Sequence, residues 1–381
     1  MISFKTPGNV FITCQRQLGP YLEQEVKDLN FKIVESGNTG VLINASLNDC
    51  ILLNLKLRCA SQVLYSLKKF KAETADDVYE EVSKIQWEEI IENPGYFSVK
   101  STVNNPTINN NLFANLRVKD AINDRLRKIR GNRPDTGAEL RGTVISLHWK
   151  NNNAEIFLDT SGDSIARHGY RKLPGKAPML EALAAATIMA SQWDRKSVFI
   201  NPMCGSGTLA IEAALICSNT SPGLFRMNFG FMHITGYDEE VYYSMRNQAE
   251  AEINEDNIPV IIATDISEQA IETAKKNAKA AGVEKLIKFN VCDFELTPVP
   301  QENKGVIFFN PEYGERLGSS SELEATYKRM GDFIKQKCKG YYGYIFTGNP
   351  DLGKKIGLKA NKKLVFYNSK IECRLLEYEI Y

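Results

Sequence analysis

Two short segments of this 381-residue chain hold residue types that do chemistry, and each follows a run of apolar residues. The first is Asn201-Pro202-Met203-Cys204-Gly205-Ser206-Gly207-Thr208. Gly205 and Gly207 permit a sharp turn and let backbone amides approach a ligand with no Cβ in the way. A lone G-x-G also serves ordinary tight turns. The third glycine of a dinucleotide fingerprint is absent, its place taken by Ala210, and no GxxxxGK[ST] phosphate loop occurs. On its own the loop therefore leaves a nucleoside site and a structural turn both open. Asp265 ends the apolar run 260–264, where a carboxylate can accept from both ribose hydroxyls. Asp293, in the run Asn290-Val291-Cys292-Asp293-Phe294, can accept from an adenine amino group, with Phe294 beside the ring. An Asp after a strand is more often a helix N-cap, but three such features at successive strand ends rarely coincide.

The second segment follows the very apolar run 306–309 and reads Asn310-Pro311-Glu312-Tyr313-Gly314-Glu315-Arg316. The Asn carboxamide oxygen and the Pro carbonyl are two acceptors for an exocyclic NH2, and Tyr313 offers a flat face to stack on its base. Methyl transfer from a sulfonium is an in-line displacement, so fixing the nitrogen near the methyl carbon supplies most of the catalysis. An Asn-Pro turn with no chemistry has the same residues.

These segments need a scaffold, and the chain has one. From about residue 178 it alternates strands and helices: helix 179–191, strand 197–200, helix 208–217, strand 260–264, helix 268–281, strand 287–291, strand 306–309, helix 322–338 and strand 341–346. A closing pair of strands lies near 363–367 and 371–379. Such alternation predicts a doubly wound, mostly parallel α/β sheet with an antiparallel edge. Residues 10–70 predict a small α+β unit, with strands at 10–14, 31–34 and 41–43 and helices at 20–28 and 47–57. Residues 71–160 predict a second α/β segment. Its helix, 111–128, places Leu112, Leu116, Ile122 and Leu126 inward.

Composition narrows the classes. Lys+Arg 47 against Asp+Glu 46 leaves a formal charge of +1, so only local patches can argue for nucleic acid. The 8 cysteines form no CxxC pair and the 3 histidines lie far apart, which predicts a reduced, metal-free protein. The first residues lack a signal-peptide pattern, and no apolar run is long enough to span a bilayer, so a cytoplasmic location is expected. Residues 115–142 carry Arg117, Lys119 and Arg125 among interspersed acids, a pattern that equally suits ordinary helix ion pairs. Residues 166–176 carry Arg167, Arg171 and Lys172 with Tyr170 and no acid, which suits phosphate contact and base stacking.

The set NPMCGSGT, TD, CD and NPEYGERLG resembles the THUMP-domain class I RNA methyltransferases, specifically the bacterial 23S rRNA guanine-N2 methyltransferase family. The resemblance extends to FSVKSTV, NLFANLRVKDAINDRLR, LDTSGDSIARHGYR and APMLEALAAA, and so covers nearly the whole chain. It implies a ferredoxin-like unit over 1–70, a THUMP RNA-binding module over 71–163 (a start near 45 stays open) and a Rossmann-like methyltransferase domain over 164–381. It implies an S-adenosyl-L-methionine site built from Asn201, Met203, Cys204, Gly205, Gly207 and Thr208, with Asp265, Ile266, Asp293 and Phe294. Asn310, Pro311 and Tyr313 take the catalytic positions, and RNA, in 23S rRNA or a precursor particle, is the implied partner. Two positions depart from the family pattern: Glu312 stands where a second proline is usual, and Asn201 where Asp is frequent. The loop grips any exocyclic amine, so adenine-N6 and tRNA guanine-N2 methylation stay open. A nicotinamide oxidoreductase is disfavoured by the missing glycine, and a non-catalytic assembly factor has only Glu312 in its favour.

Overall fold

The computed structural model describes residues 3–106, 108, 110–173, 179–313 and 320–381. The first strand and helix are β1 (Gly8–Cys14) and α1 (Gly19–Asp28), followed by β2 (Ile33–Gly37), β3 (Gly40–Ala45), α2 (Leu47–Lys56) and β4 (Ala60–Lys71). Next come α3 (Ala75–Ser83), β5 (Tyr96–Asn104), α4 (Asn111–Arg130), β6 (Asp135–Gly137), β7 (Thr143–Lys150) and β8 (Asn153–Asp159). The β-α alternation then runs α5 (Glu181–Met189), β9 (Phe199–Pro202), α6 (Thr208–Cys217), α7 (Glu239–Ala251), β10 (Ile261–Asp265), α8 (Glu268–Ala280), β11 (Ile287–Val291) and β12 (Val306–Phe309). It ends with α9 (Ser320–Lys337), β13 (Tyr342–Thr347), α10 (Pro350–Lys355), β14 (Lys362–Asn368) and β15 (Ile371–Glu379). None of these helices is long and apolar enough to cross a membrane.

The chain divides into two units. The first comprises Met1–Cys14, Leu22–Ile165 and Arg226–Ala249; the second comprises Gln15–Tyr21, Ala166–Phe225 and Glu250–Tyr381. One sheet of order β2-β3-β1-β4-β8-β7-β5-β6 runs through the first unit. Its β1-α1-β2-β3-α2-β4 portion has the split βαβ arrangement of a ferredoxin-like fold. Capping boxes start both short helices, Ser46 with Asp49 at α2 and Thr74 with Asp77 at α3. The long strand β4, which the sequence pattern did not reveal, pairs with β1 on one side and β8 on the other.

The inward face of α4 differs from expectation. Ile122 and Leu126 are buried, but Leu112 and Leu116 are 72% and 56% exposed. The buried stripe runs through Ala114, Val118, Ala121, Ile122 and Leu126. Small alanines on that stripe let the helix lie close to its neighbours, and the larger leucines one residue out of phase fall on the outer side.

Residues 226–249, an irregular insert by pattern, return to the first unit. The Arg226 guanidinium donates to the Asp163 and Ser164 carbonyls, the Phe231 amide to the Thr160 carbonyl (2.9 Å), and the Thr143 hydroxyl to the His233 carbonyl (2.6 Å). A Cβ on Gly230 would lie 2.1 Å from the Asp159 carbonyl oxygen, so only glycine permits this approach. Phe229 and Phe231 stack 5.1 Å apart, fully buried.

The second unit is a seven-stranded sheet of order β11-β10-β9-β12-β13-β15-β14. Strands β9 to β13 are parallel, and β15 is antiparallel to both β13 and β14. The order reverses between β9 and β12, the topological switch point at which such sheets bind ligands beyond the carboxyl ends of their strands. Helix α9 crosses α10 at Gly331, where a Cβ would come 1.9 Å from the Ile356 carbonyl oxygen. That neighbour is backbone and cannot rotate away. Gly331→Ala should therefore lower stability by roughly 1–3 kcal/mol, the usual overpacking cost, despite alanine's better helix propensity. Urea unfolding checks this; unchanged stability would show that the two helices do not meet there.

Candidate functional site

At the switch point the ladder between β9 and β12 is short, pairing Val306 with Phe199 and Ile307 with Ile200. One residue on, the Asn201 side chain takes over. Its Nδ2 donates to the Phe308 carbonyl (2.9 Å) and lies 3.4 Å from the Pro202 carbonyl. Its Oδ1 is buried and has no partner among the described residues. A buried acceptor left unpaired costs roughly 1–3 kcal/mol, so it marks a place where a donor belongs.

The following loop owes its shape to left-handed backbone at alternate residues: Met203 at φ 54°, Gly205 at φ 55° and Gly207 at φ 83°. A Cβ on Gly205 would meet nothing among the described residues within 4 Å, whereas one on Gly207 would lie 2.9 Å from Ala274 Cβ. Gly205 thus faces open space and Gly207 faces α8. The Cys204 amide donates to the Thr264 carbonyl and the Gly205 amide to Asp265 Oδ2, both at 2.9 Å. Asp265 Oδ1 accepts from the Ser267 amide at the start of α8 (2.9 Å). One carboxylate therefore ties the loop after β9 to the loop after β10. Beside it, Ile266 is 72% exposed and presents an apolar surface. Burial pushes the Cys204 thiol well up, which keeps it neutral.

Sequence reasoning missed two buried polar residues near this loop, of which Asn277 holds it from behind. Asn277 of α8, buried, donates to the Ser206 carbonyl (3.1 Å) and the Leu173 carbonyl (3.0 Å) and accepts from the Lys172 and Leu173 amides. The available signal was a polar residue on the stripe Ile271, Ala274, Ala278. Glu212 of α6 is fully buried, accepting from the Tyr170 hydroxyl and pairing with His168 Nδ1, each at 2.8 Å.

The basic segment is corrected accordingly. Tyr170 is 1% exposed, so its ring is core and not an RNA-facing surface. Arg171 is also turned inward, donating to the Met179 carbonyl and the Thr208 hydroxyl and pairing with buried Glu181. Arg167 and Lys172 are exposed; the rest of this segment, residues 174–178, lies outside the described residues. On α4, Arg117 pairs with Asp76 and stacks on Tyr79, Lys119 reaches the Gly137 carbonyl, and Arg125 forms a bidentate pair with Glu88. The ion-pair reading accounts for Arg117 and Arg125, while Lys119 is held by a backbone carbonyl.

At the end of β11, Asp293 Oδ1 accepts from the Glu295 amide (3.0 Å) and pairs with Arg329 (2.9 Å). Burial pushes this carboxyl up, but the amide and the guanidinium outweigh it and hold the group below its ordinary range. Phe294 is buried edge-on to Phe309 and Phe333, with Arg329 over its ring at 4.8 Å, so its side chain serves the core. After β12, Asn310 is half-buried, and its carboxamide has no hydrogen-bond partner among the described residues. Pro311 is buried, Glu312 is exposed, and the Glu312 carbonyl accepts from the Tyr327 hydroxyl (3.3 Å). The Tyr313 ring is half-buried beside Phe346, and its hydroxyl accepts from Asn368 Nδ2 at 2.8 Å. The motif's later residues, 314–319, lie outside the described residues.

Four strand-end loops thus meet along one edge of the sheet. Residues 168–377 match the UPF0020 family, RMKL-like, methyltransferase domain, over more than half of the chain. The chain belongs to this family. Residues 9–64 match the RlmL ferredoxin-like domain and residues 72–159 the THUMP domain. A ribosomal RNA large subunit methyltransferase K/L of Syntrophotalea carbinolica is 37% identical over 98% of this chain and 54% of its own length. The chain spans about half the length of the curated relatives it matches. Among solved structures, SMU.472 complexed with SAH is 28% identical, with TM-score 0.88 and 99% of each chain covered. A predicted N6-adenine-specific DNA methylase from Listeria monocytogenes is 29% identical, with TM-score 0.87, covering 99% of this chain and 97% of its own.

The burial of Tyr170 carries a prediction. Tyr170→Phe removes one donor from Glu212 and should lower stability by about 1–3 kcal/mol, with RNA affinity unchanged. Wild-type stability combined with weakened RNA binding, in paired unfolding and filter-binding assays, would return Tyr170 to the RNA surface.

Proposed function

We propose that this chain is an S-adenosylmethionine-dependent RNA methyltransferase that modifies the exocyclic N2 amine of a guanine in large-subunit ribosomal RNA. The observation that carries the reading is the juxtaposition, across one switch point, of the Asn201–Thr208 loop with the Asn310–Tyr313 segment. The first has the features of a cofactor cradle: open space over Gly205, an unpaired buried Asn201 Oδ1, a carboxylate at Asp265 and exposed apolar surface at Ile266. The relatives' printed names support ribosomal RNA as the substrate, and the likeness to the guanine-N2 family supports guanine. A cytoplasmic location fits both.

The residues present fit that cofactor, which supplies when bound an electrophilic methyl group on a sulfonium. Asp265 would hold the ribose hydroxyls through lone pairs that the Gly205 and Ser267 amides leave over, and the Asn201 carboxamide, with its unpaired Oδ1, would take the amino-acid end. Asn310 Oδ1 and the Pro311 carbonyl accept the two N–H groups of the target amine, which orients its lone pair for attack. Tyr313 stacks on the base. The nitrogen held in this way would take up the methyl group that the bound cofactor supplies, and the surplus N–H proton of the amine would be lost to water. Burial pushes the Tyr313 phenol well up, so the ring stays neutral beside the base. Because the target amine is paired and stacked in a helix, the base must be extruded or lie in a loop.

Asp265→Ala should weaken S-adenosylmethionine binding by about 1–3 kcal/mol in calorimetry; unchanged affinity would remove Asp265 from the site. Asn310→Ala should lower turnover roughly a hundredfold or more with cofactor affinity nearly unchanged, since its contact is to the base. The Listeria neighbour's description favours a second reading, adenine-N6 methylation. Nucleoside mass spectrometry of treated ribosomal RNA separates the two: N2-methylguanosine is expected, and N6-methyladenosine in its place overturns the guanine assignment.

A further inference from the structure

The turn between β14 and β15 reaches the catalytic segment. Asn368, the last residue of β14, donates from Nδ2 to the Tyr313 hydroxyl at 2.8 Å, and Cys373 of β15 places its Sγ 3.7 Å from the same oxygen. Both neighbours give hydrogens to the phenol oxygen. The ring also lies directly over Gly348: a Cβ there would sit 2.8 Å from Tyr313 Cδ2 and Cε2, and 2.9 Å from Ile371 Cγ2. Phe346 meets the ring edge-on, at 65° and 6.3 Å. The Asn368 carboxamide is brought to this place by a two-residue turn, since Asn368 pairs with Ile371 in the ladder. The first residue of that turn, Ser369, is held at φ 58°, where glycine is the cheaper choice. A costly backbone conformation kept beside a reacting segment is a reason to look for a role.

We propose that Asn368 is a positioning residue that fixes the plane of Tyr313 for capture of the target base, with Gly348 as the slot that admits the ring. This rests on the methyltransferase reading of the Asn310–Tyr313 segment. A tyrosine on a short loop can swing about its side-chain torsions, and stacking is strong only when the face is presented in one orientation. The hydroxyl anchor at one end and the glycine floor beneath remove that freedom. Asn368 touches no reacting atom; it acts through the ring.

The test uses the full chain and compares Asn368→Ala, Tyr313→Phe, their double variant and Gly348→Ala. Both single changes at the hydrogen bond should lower kcat/KM for RNA about tenfold, the fold-change of one lost hydrogen bond. The loss should fall mainly in KM, with S-adenosylmethionine affinity unchanged. The double variant should be no worse than either single one, because the two remove the same bond. Gly348→Ala should give a similar loss with Asn368 intact. Multiplying losses in the double variant, or full activity in Asn368→Ala, overturns the proposal. A second readout needs no RNA. In protein labelled with 3-fluorotyrosine, the Tyr313 resonance should shift or broaden in Asn368→Ala, and an unmoved resonance also overturns the proposal. A wild-type chain that methylates no RNA, together with a shifted resonance, sinks the methyltransferase reading and leaves the anchor standing.

Discussion

A single side-chain hydrogen bond, from Asn201 Nδ2 to the Phe308 carbonyl, stands where the two halves of the second sheet part. The ladder of β9 and β12 has ended one residue earlier, and the two chains leave for opposite faces of the sheet. Without a bridge at that depth, two buried polar groups would face each other unpaired. With it, the loop starting at Pro202 and the segment starting at Asn310 leave from a common level. The distance between the two segments is then a property of the sheet and not of either loop. The opposite end of the same carboxamide, Oδ1, is buried and unpaired among the described residues. Asparagine in place of aspartate suits this double task, since only a carboxamide can donate to a carbonyl with one end and accept with the other.

The parts legible in the sequence share a physical reason. Strands β9, β10, β12 and β13 are largely buried and read as apolar runs, and the loops beyond them carry residue types that are rare without a task. The helices α6 and α8 fell where periodicity placed them, with α6 matching at both ends. What was not legible depends on partners distant in sequence. Strand β4 carries Ser66, Lys68, Lys69 and Lys71 along its far half and reads as polar, yet it is central to its sheet because β8 covers one edge and β1 the other. Tyr170 and Arg171 read as an RNA surface because they sit among basic residues without acids. Their acids, Glu212 and Glu181, come from helices further along the chain. Counting charges within the segment cannot see a partner ten or forty residues further on.

The polar residues around the loop after β9 also explain how so glycine-rich a turn is held. Gly205 and Gly207 permit the path but enforce nothing. Enforcement comes from the Asp265 carboxylate in front and the Asn277 carboxamide behind, each satisfying several backbone groups. These polar groups were legible in part: Asp265 because it ends a strand, Asn277 only as a misfit on an apolar stripe.

The return of residues 226–249 to the first unit sets an order of events during synthesis. The floor under Gly230, formed by Asp159 and Thr160, is translated long before the segment that covers it. Between residue 165 and residue 226 the ribosome adds α5, β9 and α6 of the second unit. At elongation rates of roughly 5–20 residues per second that interval is roughly 3–12 s. During it the nascent first unit has no Phe229 and Phe231 to place against its edge, and the chain that follows must leave that edge free. The first unit is begun first yet cannot close until part of the second has been made, so the two are coupled in time by the path of the chain itself.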